Sequence, residues 1–163
     1  MGMKILSGAE EKEALVFLME AAEAARDSQC HRSFCGAVIV QGHQIIGKGS
    51  NSPPLGSEKN RRCQIPKTSY NPKVTDKTCC MHAEQRAIFD ALQKNSLLLP
   101  GAQLYFIRLD KEKKITKAGK PYCTICSKIA LDVGIAEFIL WHDASITAYN
   151  TEEYNHLSYQ YQE

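Results

Sequence analysis

An α/β domain with a mixed sheet and helices covering its faces is predicted by the element order helix, strand, strand, helix, strand, helix, strand, helix. Length agrees: 163 residues suit one domain over 1–163, enough for one substantial core and too few for two. The first helix starts at Ser7-Gly8-Ala9-Glu10, which has the Ser-x-x-Glu form of a capping box, and Leu15, Leu18, Met19, Ala22 and Ala25 follow on one helical face. The unbroken apolar run Ala37-Val38-Ile39-Val40 predicts a buried strand, Gln41-Gly42-His43 a turn, and Gln44-Ile45-Ile46-Gly47 its antiparallel partner. From Gly49 to Cys80 prolines stand at 53, 54, 66 and 72 with little periodicity, which predicts a long loop with a functional reason to exist. A second helix begins near His82 and buries Ala83, Ala87, Ile88, Ala91 and Leu92; after Pro100-Gly101, Leu104-Tyr105-Phe106-Ile107 is a third strand. A third helix runs from about Cys123 to Gly134, Phe138-Ile139-Leu140-Trp141 is a fourth strand, and Thr151-Glu152-Glu153 opens a last helix. The chain has no internal repeat.

Composition excludes several function classes. The hydrophobic share of 44% and charged share of 23% are ordinary for a soluble protein, and no apolar run is long enough to span a bilayer. Twenty basic against 18 acidic residues give a net charge of +2, too near balance for nucleic-acid binding by the whole surface. Met1 to Ser7 lacks the features of a secretory signal, so the expected location is cytoplasmic. Seven cysteines, at 30, 35, 63, 79, 80, 123 and 126, are then expected to be thiols and metal ligands and not a disulfide framework.

The chemistry concentrates in His82-Ala83-Glu84 and Pro121-Tyr122-Cys123-Thr124-Ile125-Cys126. One imidazole and two thiolates, from His82, Cys123 and Cys126, suit a tetrahedral zinc whose fourth position stays open, the mark of a catalytic site. Cys123 and Cys126 are three apart at a helix start, so both sulfurs face one way and the positive helix end favours their thiolates. Glu84, two residues from His82, is placed for proton transfer without being a ligand. A structural zinc knuckle with a fourth ligand from Cys79, Cys80 or His31 is the competing interpretation, and it leaves Glu84 without a purpose.

His-x-Glu followed by Cys-x-x-Cys is the zinc deaminase signature. With Ser28-Gln29-Cys30-His31-Arg32, Gly36-Ala37-Val38-Ile39-Val40 and Gly49-Ser50-Asn51-Ser52-Pro53-Pro54, the chain resembles the cytidine and deoxycytidylate deaminase superfamily, most of all its deoxycytidylate branch, from about Ser28 to Trp141. The resemblance implies a three-layer α-β-α sandwich in which two helix starts meet to hold one catalytic zinc. It also implies hydrolytic replacement of the amino group of a cytosine nucleotide or nucleoside by a carbonyl, with Glu84 moving the protons. Asn51 matches a position that contacts sugar or base; Ala83 and Tyr122 are further candidate substrate contacts. Two departures stand out: Tyr122 separates Pro121 from the first cysteine, and Arg86 occupies a usual asparagine position.

Lys114 and Lys117, within the lysine-rich stretch from Leu109 to Lys120, are candidate phosphate ligands, with Lys59, Arg61, Arg62, Lys67, Lys73 and Lys77 of the proline-rich loop adding charge; solvated surface lysines are the alternative. Cys30, His31, Cys35, Cys63, Cys79 and Cys80 could hold a second, structural zinc, which some deoxycytidylate deaminases carry, but the cysteines are read in preference as buried thiols. His43, His142 and His156 are turn or surface residues, while Tyr154, Leu157 and Tyr161 share a helical face that packs on the domain or a partner subunit. The expected partner is a small nucleotide or nucleoside, in a homo-oligomer. Deamination of a base in single-stranded nucleic acid or tRNA, or of a purine base, is the second enzymatic possibility, and an inert zinc-stabilised binding module the non-enzymatic one.

Overall fold

In the computed structural model, which describes residues 2–163, seven strands form one sheet: β1 (Met3–Ile5), β2 (Phe34–Gln41), β3 (Gln44–Ser50), β4 (Gln103–Leu109), β5 (Ile115–Thr116), β6 (Glu137–Trp141) and β7 (Ile146–Asn150). Their order is β1-β7-β6-β4-β2-β3, with β5 pairing β4 off this path. Only β4 and β6 run parallel, so the sheet is mixed as expected. Four helices cover it: α1 (Gly8–Arg26), α2 (Ala83–Asn95), α3 (Thr124–Asp132) and α4 (Thr151–Tyr159).

Alternation along the strands sorts two cores. Val38, Val40, Tyr105, Ile107, Leu109, Ile139, Ile146 and Ala148 face α1, whereas Ala37, Ile39, Leu104, Phe138 and Leu140 join Ala83, Ala87, Ile88 and Ala91 of α2 and Ala130 of α3. Tyr154 of α4 stacks on Phe138, ring centroids 4.1 Å apart, on that second face. The result is three layers, with α1 alone on one side and α2, α3 and α4 on the other, similar in class to the cytidine deaminase sandwich the resemblance implied.

Two expectations for α1 and one for α2 are corrected. Ser7 makes no side-chain cap bond, so the capping box does not form; the Glu11 N–H meets the Ser7 carbonyl at 3.4 Å instead. The buried face of α1 is Ala14, Phe17, Leu18, Ala21, Ala22 and Ala25, while Met19 stays 48% exposed. Leu18, Ala22 and Ala25 of the expected face are buried; the helix comes closest to the sheet at Ala21 and Ala25, where a Cβ on Gly36 of β2 would lie 2.0 Å from the Ala21 carbonyl oxygen. On α2, Leu92 is likewise exposed at 43%.

The β2–β3 turn forms at Gly42 and His43, both at positive φ (55° and 65°), the pattern of a two-residue hairpin. β1, β5 and β7 are additional to the expected strands. Between β3 and α2 the chain makes three short 3₁₀ turns, at Pro54–Gly56, Glu58–Asn60 and Lys67–Ser69, and no longer element. Among the described residues, no helix is long and apolar enough to cross a membrane.

Candidate active site

The starts of α2 and α3 meet over the sheet. His82 precedes α2, its N–H donating to the Gln85 side-chain oxygen at 2.9 Å, and Cys123 precedes α3, its sulfur accepting from the Cys126 N–H at 3.4 Å. The His82 Nδ1 stands 3.1 Å from Cys126 Sγ and 3.3 Å from Cys123 Sγ. Among the described residues these three form the one group of three or more His, Cys, Asp or Glu ligand atoms that converge within 4.8 Å. A tetrahedral zinc with bonds of about 2.0 Å to nitrogen and 2.3 Å to sulfur separates such atoms by roughly 3.5 Å, so small rotations of the side chains suffice to admit it. The donor set fits one zinc.

The three donors lie close enough to shift one another's proton affinities. The Cys126 thiol and the His82 ring hold the Cys123 thiol down at about 5 against the opposing effect of burial. Cys126 is pushed far up by the neighbouring Cys123 sulfur, by burial and by Glu84. Hydrogen bonding to Cys123 raises His82 to about 9, over a burial effect of opposite sign. Glu84 is only 6% exposed; burial first, and the Cys123 charge second, lift its carboxyl to about 7, with His82 and Arg108 opposing. A buried carboxyl held near neutrality has the proton affinity a general acid-base needs.

Glu84, His82, Ala83 and Cys123 line a cavity of about 410 Å³. Asn51 also lines it, but its amide is largely committed. Its Oδ1 accepts from the Cys35 N–H at 2.9 Å and from the Ser28 hydroxyl, and its Nδ2 donates to the Ser33 carbonyl at 3.0 Å, so one N–H remains for a ligand. Ala83 is fully buried at the first turn of α2. Tyr122 is 52% exposed and borders this cavity and a smaller one of about 170 Å³.

The predicted phosphate lysines separate. Lys114 pairs with Glu112 at 2.9 Å and lines neither cavity, while Lys117 lies over the Trp141 ring, 3.0 Å from its centroid, and borders the smaller one. The proline-rich loop does reach the site: Arg62, Lys67 and Lys77 line the larger cavity, joined by Arg32. Cys30, Cys63, Cys79 and Cys80 border it too, half-buried, whereas Cys35 is buried beside Arg108. They do not converge with His31 into a second ligand set. His43 sits in the hairpin turn against Glu13, His156 is exposed, and His142 bridges the Ala118 carbonyl (3.0 Å) and the Tyr149 hydroxyl (2.8 Å).

Arg108 was not among the sequence candidates. It directly follows the apolar run Leu104–Ile107 on β4, and a cation continuing a buried strand was the signal available. Alternation places Arg108 on the α2 face, opposite Cys35 of β2, where it lines both cavities and donates to the Tyr122 hydroxyl at 2.6 Å.

Comparison with known proteins agrees with this geometry. Residues 11–142 match the profile of the cytidine and deoxycytidylate deaminase zinc-binding region. The chain is 33% identical over 98 residues to a deoxycytidylate deaminase of Mycobacterium phage D29, covering 56% of this chain and 74% of that protein. It is 32% identical over 78 residues to a deoxycytidylate deaminase of Schizosaccharomyces pombe, where the match spans 46% of this chain and only 24% of the yeast protein. A crystal structure of the dCMP deaminase of cyanophage S-TIM5 with dCMP and dUMP is similar at a TM-score of 0.54 and 25% identity, over 82% of each chain.

Proposed function

The chain belongs to the cytidine and deoxycytidylate deaminase family, and from that membership we propose that it hydrolyses deoxycytidylate to deoxyuridylate and ammonia with one zinc. The observation that carries this reading is the convergence of His82, Cys123 and Cys126 beside buried Glu84 in a cavity lined by five cations, Arg32, Arg62, Lys67, Lys77 and Arg108, and no second carboxylate. That excess suits a phosphorylated substrate.

Held by the three donors, zinc supplies a Lewis acid that brings a water toward neutral pKa. Glu84 takes one proton of the attacking water and passes it to the ring nitrogen beside the carbon under attack; it then carries the remaining proton of the added hydroxyl to the amine, so that ammonia leaves as the carbonyl forms. Its burial keeps bulk water from competing for these protons. The Asn51 N–H not used by the Ser33 carbonyl is left to bond the sugar, and the first turn of α2 at Ala83 offers backbone N–H groups that lack helical partners. A cytoplasmic homo-oligomer belongs to the same reading, supported by seven unpaired cysteines and by Phe89 and Leu92 exposed on the outer face of α2.

The experiment is ammonia release by zinc-loaded protein from deoxycytidylate, deoxycytidine, cytidylate, cytidine, adenosine, guanine and single-stranded oligonucleotides. Turnover of deoxycytidylate above the rest supports the reading; activity on oligonucleotides or purines alone replaces it.

A further inference from the structure

Arg108 is a half-buried cation, without a carboxylate partner, in the wall of the candidate active site. No carboxylate oxygen lies within 4.0 Å of it among the described residues. Its Nε is buried without any hydrogen-bond partner, and one terminal nitrogen donates to the Tyr122 hydroxyl, which is neutral. Even partial burial of a guanidinium without an opposite charge is unfavourable, and a bound anion would offset it. The nearest acid in the cavity is Glu84, which the proton transfers require to alternate between forms and which therefore gives no lasting compensation.

Geometry fixes where Arg108 points. Neighbours Ile107 and Leu109 face α1, so Arg108 faces the metal side, against Cys35 and within the cavity that holds Asn51 and Glu84. Tyr122, which packs on Tyr161 at 5.7 Å between ring centroids, holds one terminal nitrogen of the guanidinium, and among the described residues the other terminal nitrogen has no hydrogen-bond partner. Glu84, Phe106, Arg108, Tyr122 and Cys123 border both cavities, so the Arg108–Tyr122 pair forms part of the wall between them. A planar fork with free donors suits the oxygens of a phosphate, and a dianion supplies the charge that a neutral ring carbonyl lacks.

We propose that Arg108, held by Tyr122, binds the 5′-phosphate of the substrate and makes the enzyme select nucleoside monophosphates over nucleosides. The proposal rests on the deaminase reading above and adds the residue that sets phosphate dependence, a role the sequence had pointed toward Lys114 and Lys117. Tyr122 is the positioning residue: it touches Arg108 and orients the fork.

The test compares parent protein with Arg108→Met, Arg108→Lys and Tyr122→Phe, after zinc content and thermal midpoint show each variant folded. Losing a hydrogen-bonded charge pair predicts that Arg108→Met lowers the deoxycytidylate-to-deoxycytidine ratio of kcat/KM by roughly 10- to 100-fold, chiefly through KM for the nucleotide. Arg108→Lys recovers part of the ratio, since charge returns without the fork, and Tyr122→Phe lowers it a few-fold. Calorimetric titration with 2-deoxyribose 5-phosphate gives a readout independent of turnover: parent binds it and Arg108→Met binds it at least tenfold more weakly. An unchanged nucleotide-to-nucleoside ratio, or equal losses for both substrates, overturns the proposal, because Arg108 then props the wall or reads the base. If the parent turns over neither substrate, the deaminase reading fails, while the sugar-phosphate titration still decides whether Arg108 binds phosphate.

Discussion

Replacing Gly49 by alanine tests whether the seat of α2 on β3 holds the catalytic groups in register. The added Cβ would lie 2.4 Å from the Ala87 nitrogen, 2.5 Å from the Ala83 carbonyl oxygen and 2.5 Å from the Arg86 Cβ. Those contacts are mostly helix backbone, which cannot swing aside, and ordinary contact begins near 3.4 Å. The first turn of α2 must therefore retreat by about 1 Å, carrying His82 and Glu84 away from Cys123 and Cys126. Overpacking of this kind costs about 1–3 kcal/mol. In a protein of this size that lowers the thermal midpoint by roughly 2–12 °C. The larger effect falls on turnover, since a misplacement of about 1 Å costs on the order of a hundredfold in rate. Thermal unfolding and steady-state deamination of Gly49→Ala measure the two. Gly119→Ala, whose Cβ meets nothing within 4 Å, is the control for stability. If Gly49→Ala keeps the parent's midpoint and rate, the helix start is not the rigid element argued here.

Cys126→Ala removes one of three converging donors, so zinc content by metal analysis should fall well below one per chain. Apparent affinity should drop by more than the roughly 10–100-fold that loss of an outer-shell partner costs. Asn51→Ala leaves the Cys35 N–H and the Ser33 carbonyl without their partner. It should destabilise the fold by about 1–3 kcal/mol in denaturant titration and raise KM, and a stability equal to the parent's would show that those bonds contribute nothing.

The four helices, the β2–β3 hairpin, β4 and β6 were legible because each carries a long apolar pattern or a turn signal, and the ligand set was legible because metal spacing is local in sequence. β1 and β5 were not: three and two residues are too few for a period, and β1 is exposed throughout. β7 is five residues, Ile146-Thr147-Ala148-Tyr149-Asn150, in which Thr147, Ala148 and Asn150 give too weak an apolar signal to mark a strand. On α1 the expected face was right at Leu18, Ala22 and Ala25 and wrong at Met19, which lies at its edge, where a helical period cannot separate it from Phe17 and Ala21. Arg108 was hidden for a related reason: its meaning depends on which strand lies opposite and on which helix covers that side. Of the basic loops, Lys114 found a neighbouring glutamate and Lys117 an indole face, pairings that a charge pattern does not reveal.

The central claim is that deamination occurs at this cluster with Glu84 as the proton carrier. Glu84→Gln keeps the size and shape of the side chain and removes its acid-base function, so zinc content, fold and chemistry come apart in one variant. Measured together on parent and variant, zinc per chain, thermal midpoint and deoxyuridylate formation from deoxycytidylate give the decision. Glu84→Gln should hold about one zinc per chain, unfold near the parent's midpoint and lose activity by at least roughly a hundredfold. Parent-like turnover by Glu84→Gln, or loss of its zinc together with its activity, would contradict the account.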